Sequence, residues 1–262
     1  ILFKAKKVTF MDGNMSVELM YDELKEQAVE TFGAEEAKVI DKAFEIAKSG
    51  RPGPVLVDIT KDVTAALCDY ERQTPAVPKK TAKYTEADIE NAVKVIQEAK
   101  KPFIYLGGGA IASDAAKEVA EFAELIDAPV CDTLMAKGAF DGKSDRYTGM
   151  IGMHGTKTAN YGVTECDLLV VIGARFSDRV AGDTEKFGAD ATIIHLDIDE
   201  KEINKNVKVD KWLIGNLKDS LTALKSKLTQ QNHEDWKLEL SKYTTTTEKK
   251  IGDYITPQEI IK

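Results

Sequence analysis

Apolar residues change their spacing several times along this chain, and each change marks an element. Val39, Ala43, Ile46 and Ala47 recur at the intervals of one helix face, and Ser49-Gly50 closes that helix. Arg51-Pro52-Gly53-Pro54 reads as a rigid turn and residues 55–59 as a short buried strand. Residues 61–84 carry Pro75, Pro78 and adjacent lysines without periodicity, the pattern of a surface linker. Thr85 and Asp88 make a capping box ahead of Ile89, Ala92, Val93 and Ile96, which predicts a helix ending near Lys100. Strand and helix then alternate. Strands are predicted at 103–106, 129–133, 168–172, 192–198 and 212–214. Between them fall a helix capped by Ser113, with Ala115, Val119, Phe122 and Ile126 on its inner face, a helix over 155–163 and a closing helix over 217–228.

Strands interleaved with helices imply parallel pairing through right-handed crossovers. Residues 85–228 are therefore expected to form one doubly wound α/β domain, a mainly parallel sheet with helices on both faces. Residues 1–63 look like the carboxyl-terminal remnant of another domain. Within them 1–33 fit no template beyond a helix over 17–32. Residues 64–84 are expected to be the linker proper. After Leu228 the chain turns polar, with a short helix over 236–240, a run of threonines at 244–247, and the first cap of a further helix at 255–259. The opening at Ile1 and the helix start beside Lys262 suggest a piece of something longer.

The candidate chemistry gathers at strand ends. Residues 168–172 are a continuous apolar run, the mark of a strand buried on both faces, and then Gly173, Ala174, Arg175, Asp178 and Arg179 follow at once. Ligands of open α/β sheets sit in the crevice beyond the carboxyl ends of the strands, so this stretch reads as one wall of an anion-binding cleft. Gly107-Gly108-Gly109-Ala110-Ile111-Ala112 follows a strand and satisfies G-x-G-x-x-A, whose glycines let backbone amides approach a pyrophosphate; a tight strand-to-helix connection explains them equally well. Thr133-Leu134-Met135 ends the second strand, and Ile151-Gly152-Met153-His154-Gly155 follows an irregular stretch and opens a helix. By residue type Met153 reads as core filler before a ligand contact, and His154 as a satisfied polar group before a ligand. Arg175 and Arg179 around Asp178 could equally be a solvated salt-bridge cluster. His195-Leu196-Asp197-Ile198 sets an acid where nucleotide-binding folds hold ribose, and Gly215-Asn216 ends the last strand.

Charge and composition narrow the classes. A net charge of -8 argues against nucleic acid as a partner, and no apolar run approaches the roughly 20 residues of a membrane span. Cys68, Cys131 and Cys166, and His154, His195 and His233, are too scattered for a disulfide framework or a metal centre, and the cysteine usage suits a reducing cytoplasm. No GxSxG, Walker or HExxH motif occurs, and no nucleophile stands beside a base. The residues alone read as a dinucleotide-binding domain without visible catalysis.

Five strings, GRPGPVLVDITKDV at 50–63, YLGGGA at 105–110, IGMHGTKTAN at 151–160, VIGARFSDRVAG at 171–182 and IIHLDID at 193–199, resemble the large catalytic subunit of the acetolactate (acetohydroxyacid) synthase family. The resemblance covers about residues 34–262. It implies a thiamine-diphosphate- and magnesium-dependent transferase of branched-chain amino-acid biosynthesis, joining pyruvate to a second 2-keto acid with loss of carbon dioxide. It further implies a Rossmann-like central domain here, flanked by missing pyrimidine-binding and diphosphate-binding domains, so the chain alone should be catalytically incomplete. A homo-oligomer is implied for the full enzyme, with room for a regulatory small subunit.

By the same resemblance a structural FAD would be held by Gly107, Gly108, Gly109, Thr133, Leu134, Met135, Gly152, Met153, His154, Gly173, Ala174, Arg175, Asp178, Val180, Asp197 and Ile198. Arg179 resembles the arginine that meets the carboxylate of the second keto acid, and Met153 the methionine lining that pocket. Ser177 and Asn216 stand where the family usually has acids, and Asp69 near the place of its linker arginine. The alternatives are a non-catalytic dinucleotide-binding or interaction module that has lost its ligand, and an NAD-dependent dehydrogenase. The latter is disfavoured because no acid or base for hydride transfer stands beside the glycines.

Overall fold

The computed structural model describes residues 34–58 and 83–244. The chain divides into two compact units, Ile1–Ala82 and Lys83–Lys262. In the first, helix α1 (Ala34–Lys48) ends as expected: Ser49 N donates to Ile46 O at 3.2 Å, and Gly50 takes the left-handed φ of 58°. The strand expected over 55–59 does not form within the described residues, where 52–58 run without pairing. A strand exists through its neighbour's hydrogen bonds, and no described residue pairs with 55–58. The helix expected over 17–32, the linker at 61–82, Cys68, Asp69 and the segments after Thr244 lie outside the described residues.

The second unit runs α2 (Glu86–Glu98), β1 (Pro102–Leu106), α3 (Gly109–Ala112), α4 (Ala116–Leu125), β2 (Val130–Asp132), β3 (Tyr147–Met150), α5 (Lys157–Glu165), β4 (Leu168–Ile172), α6 (Asp178–Ala181), β5 (Thr192–Asp197), β6 (Lys211–Ile214), α7 (Leu217–Lys225) and α8 (Glu234–Ser241). The six strands form one sheet in the order β3-β2-β1-β4-β5-β6, and every pair is parallel. This is the doubly wound arrangement, whose order reverses between β1 and β4.

Burial explains the apolar runs. Ile104, Leu106, Val170, Ile172, Ile194 and Leu196 face α2, α4 and α7, while Phe103, Tyr105, Leu169, Val171 and Ile193 face α5 and α8. Both sides of the central strands are thus sealed from water. The capping box forms: Asp88 N donates to Thr85 Oγ1 at 3.2 Å and Thr85 N to Asp88 Oδ2 at 2.7 Å. These bonds from Thr85 hold the Asp88 carboxyl below its usual range.

Three details differ from the sequence reading. Ser113 ends α3 by donating its hydroxyl to Gly109 O at 2.7 Å instead of opening α4, because Asp114 at φ 50° breaks the chain between them. Residues 147–150, read as irregular, are the edge strand β3. Beyond Leu228, α8 packs onto the sheet: Trp236 and Leu240 are buried, and Trp236 Nε1 donates to Pro102 O at 3.0 Å.

Candidate functional site

Where the strand order reverses, the backbones leaving β1 and β4 touch. A Cβ on Gly107 would lie 2.1 Å from Gly173 O and 2.4 Å from Ala174 Cα, and one on Gly109 would lie 2.7 Å from Gly173 Cα. No side chain fits there, so the glycine run is a packing requirement first. Gly107 N donates to Ile172 O at 2.9 Å and Gly109 N to Gly173 O at 3.0 Å. Of the three glycines, only Gly108 keeps an N–H with no hydrogen bond to a described residue. A Cβ on Gly108 would meet that of Met135 at 3.1 Å, which ties this turn to the one after β2.

The other strand ends join in sequence. Thr133 N extends the ladder to Leu106 O at 2.9 Å, and its Oγ1 is buried without a partner among the described residues. Leu134 and Met135 are 72% and 73% exposed. After β3, Asn160 braces Gly152 from both sides, accepting from its N–H at 3.2 Å and donating to its carbonyl at 3.1 Å. Gly152, at φ 103°, has room for its Cα only, since a Cβ would come 2.9 Å from Arg179 O. Met153 N donates to that same oxygen at 3.4 Å. The loop after β3 therefore leans on α6, whose start is capped by Ser177 Oγ accepting from Arg179 N at 3.3 Å. Val180 lies beside Gly152, and Asp178 accepts from Ser177 Oγ at 3.2 Å. At the end of β5 the Asp197 side chain is buried and accepts from Asp199 N at 2.9 Å, with Ile198 half-buried beside it.

The bland readings can now be judged. Met153 is 79% exposed, so it fills no core. Arg175 and Arg179 are exposed and form no ion pair with any described residue, so the cluster around Asp178 is no salt-bridge network. His154 is exposed and makes no described hydrogen bond. The main-chain N–H groups of Gly108, Leu134, Met135, His154, Ala174, Arg175 and Phe176 likewise bond to no described residue. Such amides are normally paired. Seven of them along one sheet edge, with two unpaired guanidinium groups and three exposed apolar side chains, suit an elongated anionic ligand with an apolar end.

Other chemistry is poorly served. Burial pushes the Cys131 thiol up and the Cys166 thiol up to about 12, so neither is a nucleophile near neutrality. Among the described residues no three His, Cys, Asp or Glu side chains gather as a metal site. No described helix is long and apolar enough to cross a membrane. A cavity of about 490 Å3 lies elsewhere, on the flank formed by β3, α5 and α8; its walls include Tyr147, Lys157, Lys237 and Tyr243 and none of the candidate residues.

Comparison with known proteins decides the family. The model of the thiamine pyrophosphate enzyme central domain matches residues 89–224, over half of the chain. The chain belongs to that family. Among its relatives, the probable acetolactate synthase large subunit of Methanocaldococcus jannaschii is 46% identical over 206 residues, 76% of this chain and 33% of that protein. Acetolactate synthase isozyme 2 large subunit of Escherichia coli is 42% identical over 199 residues, 76% of this chain and 36% of that protein. The large subunit of Porphyra purpurea is 42% identical over 193 residues, 72% and 33% respectively. The chain thus spans about a third of the length of these relatives. The matched thiamine pyrophosphate enzyme domain is the doubly wound body itself, and every candidate residue lies within it.

What sequence reasoning missed is the support. Asn160, which braces Gly152, and Asn206, whose Nδ2 donates to Arg175 O at 3.0 Å, carried no motif signal. Asp132 was also passed over. It is buried, and it accepts from Lys137 Nζ at 2.7 Å and from Tyr147 Oη at 3.0 Å beneath Thr133.

Proposed function

We propose that this chain is the FAD-binding central part of an acetolactate synthase large subunit. The row of amides unbonded among the described residues at the switch point, flanked by Arg175 and Arg179, which pair with no described residue, is the observation that carries this reading. The residues fit the cofactor. Ala174, Arg175 and Phe176 amides suit a pyrophosphate, Asp197 suits nucleotide hydroxyls, and the exposed side chains of Leu134, Met135 and Met153 suit an apolar ring system. Thr133 Oγ1, buried without a partner, would gain one. Gly107, Gly108, Gly109, Gly152, His154, Gly173, Asp178, Val180 and Ile198 would complete the walls. Bound there, the flavin supplies structure, with no net redox in the condensation.

In the whole enzyme the reaction joins pyruvate to a second 2-keto acid with loss of carbon dioxide. Thiamine diphosphate and magnesium would be held by parts beyond the region described here. Arg179, exposed and uncommitted, would meet the carboxylate of the second keto acid, and Met153 would line its pocket.

A ligand that binds only the folded state stabilises it by about 2.7 kcal/mol at a hundred times its dissociation constant. Thermal melts with FAD, FMN, NAD and no addition therefore test the reading. FAD is expected to raise the midpoint by several degrees and NAD to leave it unchanged. A midpoint indifferent to FAD would remove the cofactor assignment and favour a module without ligand.

A further inference from the structure

We propose that His195 is a positioning residue: its ring fixes the anion-binding turn after β4 and sets that turn's distance from Asp197. The proposal rests on the nucleotide reading above and assigns the part that holds the nucleotide-facing amides in place.

His195 is completely buried, and its Nε2 lies 2.8 Å from Ala174 O. A carbonyl only accepts, so Nε2 carries the proton and the ring is the Nε2–H tautomer. Nδ1 is buried and bonds to nothing described. Asn206 Nδ2 holds the next carbonyl, Arg175 O, at 3.0 Å. In a trans peptide the C=O and the following N–H point in opposite directions. Two consecutive carbonyls anchored by His195 and Asn206 therefore turn the Arg175 and Phe176 amides away from their anchors, which is why both remain unbonded.

The same ring supports a strained residue. Phe176 has the left-handed φ of 49°, a conformation that strains a side-chain-bearing residue. Its buried ring stands edge-on to His195 at 5.1 Å and is boxed by Tyr105 at 6.0 Å and Phe187 at 5.8 Å. Gly173 at φ 61° opens the turn and Phe176 closes it, which makes a concave run of free amides of the kind that binds anions. His195 Nε2 is also 3.6 Å from Asp197 Oδ2. One imidazole thus spaces the amides suited to phosphate from the carboxylate suited to hydroxyls.

Gln carries its amide nitrogen about where Nε2 stands, Asn about where Nδ1 stands, and Phe keeps the ring without a donor. FAD affinity by flavin fluorescence titration is expected to fall about tenfold in His195→Phe and His195→Asn, the consequence of leaving a buried carbonyl unpaired. His195→Gln should stay near the wild-type affinity. In ligand-free protein, the backbone 13C shifts of Phe176 should lose their left-handed signature in the Phe and Asn variants and keep it in Gln. Should Phe fail to fold, the Asn and Gln pair carries the comparison. Folded variants that all bind like the wild type, or Gln failing as badly as Asn, would overturn the proposal. If wild-type protein takes no FAD, the nucleotide reading fails by itself, and the Phe176 shifts alone decide whether His195 holds the turn.

Discussion

The two edges of the sheet obey the same hydrogen-bonding rules and end up opposite. At the amino edge Asp127, Asp167 and Trp236 are committed. Asp127 receives the Arg146 guanidinium, Lys237 Nζ at 3.0 Å and His233 N at 2.5 Å. Asp167 accepts from Lys100 N and Lys101 N, each at 2.8 Å, and Trp236 closes over Pro102. At the carboxyl edge, amides, guanidinium groups and large apolar side chains are left over. Polar groups committed to each other hold a fold together, and those left unpaired at a strand end are available to a ligand. Variants of the first edge should therefore change stability alone, and variants of the second should separate affinity from stability.

The largest effect is expected at Asp127. Asp127→Asn keeps a residue that tolerates the φ of 48° there, leaves the half-buried Arg146 guanidinium without its counter-charge and leaves Lys237 with Glu234 alone at 2.8 Å, which should lower stability by about 3 kcal/mol in denaturant melts. Burial by itself would raise the Asp127 carboxyl. The bonds from His233 N, Lys237 and Arg146 more than offset it, and the folded group titrates below its usual value. A depressed folded pKa contributes stability that is present above the unfolded pKa near 3.9 and is lost as pH falls through the folded one. Wild-type stability should drop below about pH 4 more steeply than that of the Asn variant. FAD affinity in the folded variant should be unchanged; a parallel loss of affinity would break the division between the edges.

Gly107 tests the opposite edge where packing and binding coincide. Gly107→Ala forces a methyl against Gly173 O and Ala174 Cα, both backbone, and should lower stability by about 3 kcal/mol and abolish FAD retention together. Gly182→Ala is the control, since its Cβ would meet nothing and only its backbone at φ 54° and ψ -102° opposes it, for about 2 kcal/mol. Equal losses at the two positions would mean that the β1–β4 contact is looser than its distances imply.

These contrasts also mark what could be read from the sequence. The continuous apolar runs of β1 and β4 declared themselves because both faces of the sheet are covered, and the Thr85–Asp88 box because its chemistry is local. The strand β3 did not: it is a half-buried edge strand of Tyr-Thr-Gly-Met, with Gly149 at φ 102° and a register shift opposite Val130 and Cys131. The candidate residues at strand ends were legible as types, since glycine, arginine and aspartate recur there. Which amides stay free was not, because carbonyl direction is set by residues distant in sequence, Asn206 for Arg175 and His195 for Ala174.

A smaller effect belongs to the capping box. Thr85→Ala removes the acceptor for Asp88 N and should cost about 1 kcal/mol, read as a shift of the urea midpoint at constant slope. Because α2 lies far along the chain from the strand-end loops, FAD affinity should not follow. A ligand-dependent change would show that the helix layer tunes the crevice.

The smallest change in stability should accompany one of the largest in binding. Arg175 is exposed, and its side chain pairs with nothing described, so Arg175→Ala should leave the melting curve within about 0.5 kcal/mol of wild type. Its cation stands beside the free amides of the turn, where an anionic ligand would concentrate charge, so FAD affinity should fall several-fold and the loss should shrink as salt is raised. Arg175→Lys keeps the charge but gives up the planar fork, and it should recover only part of the affinity. If Arg175→Ala destabilises the ligand-free protein as much as Asp127→Asn does, the guanidinium already serves the fold, and the carboxyl edge is no freer than the amino edge.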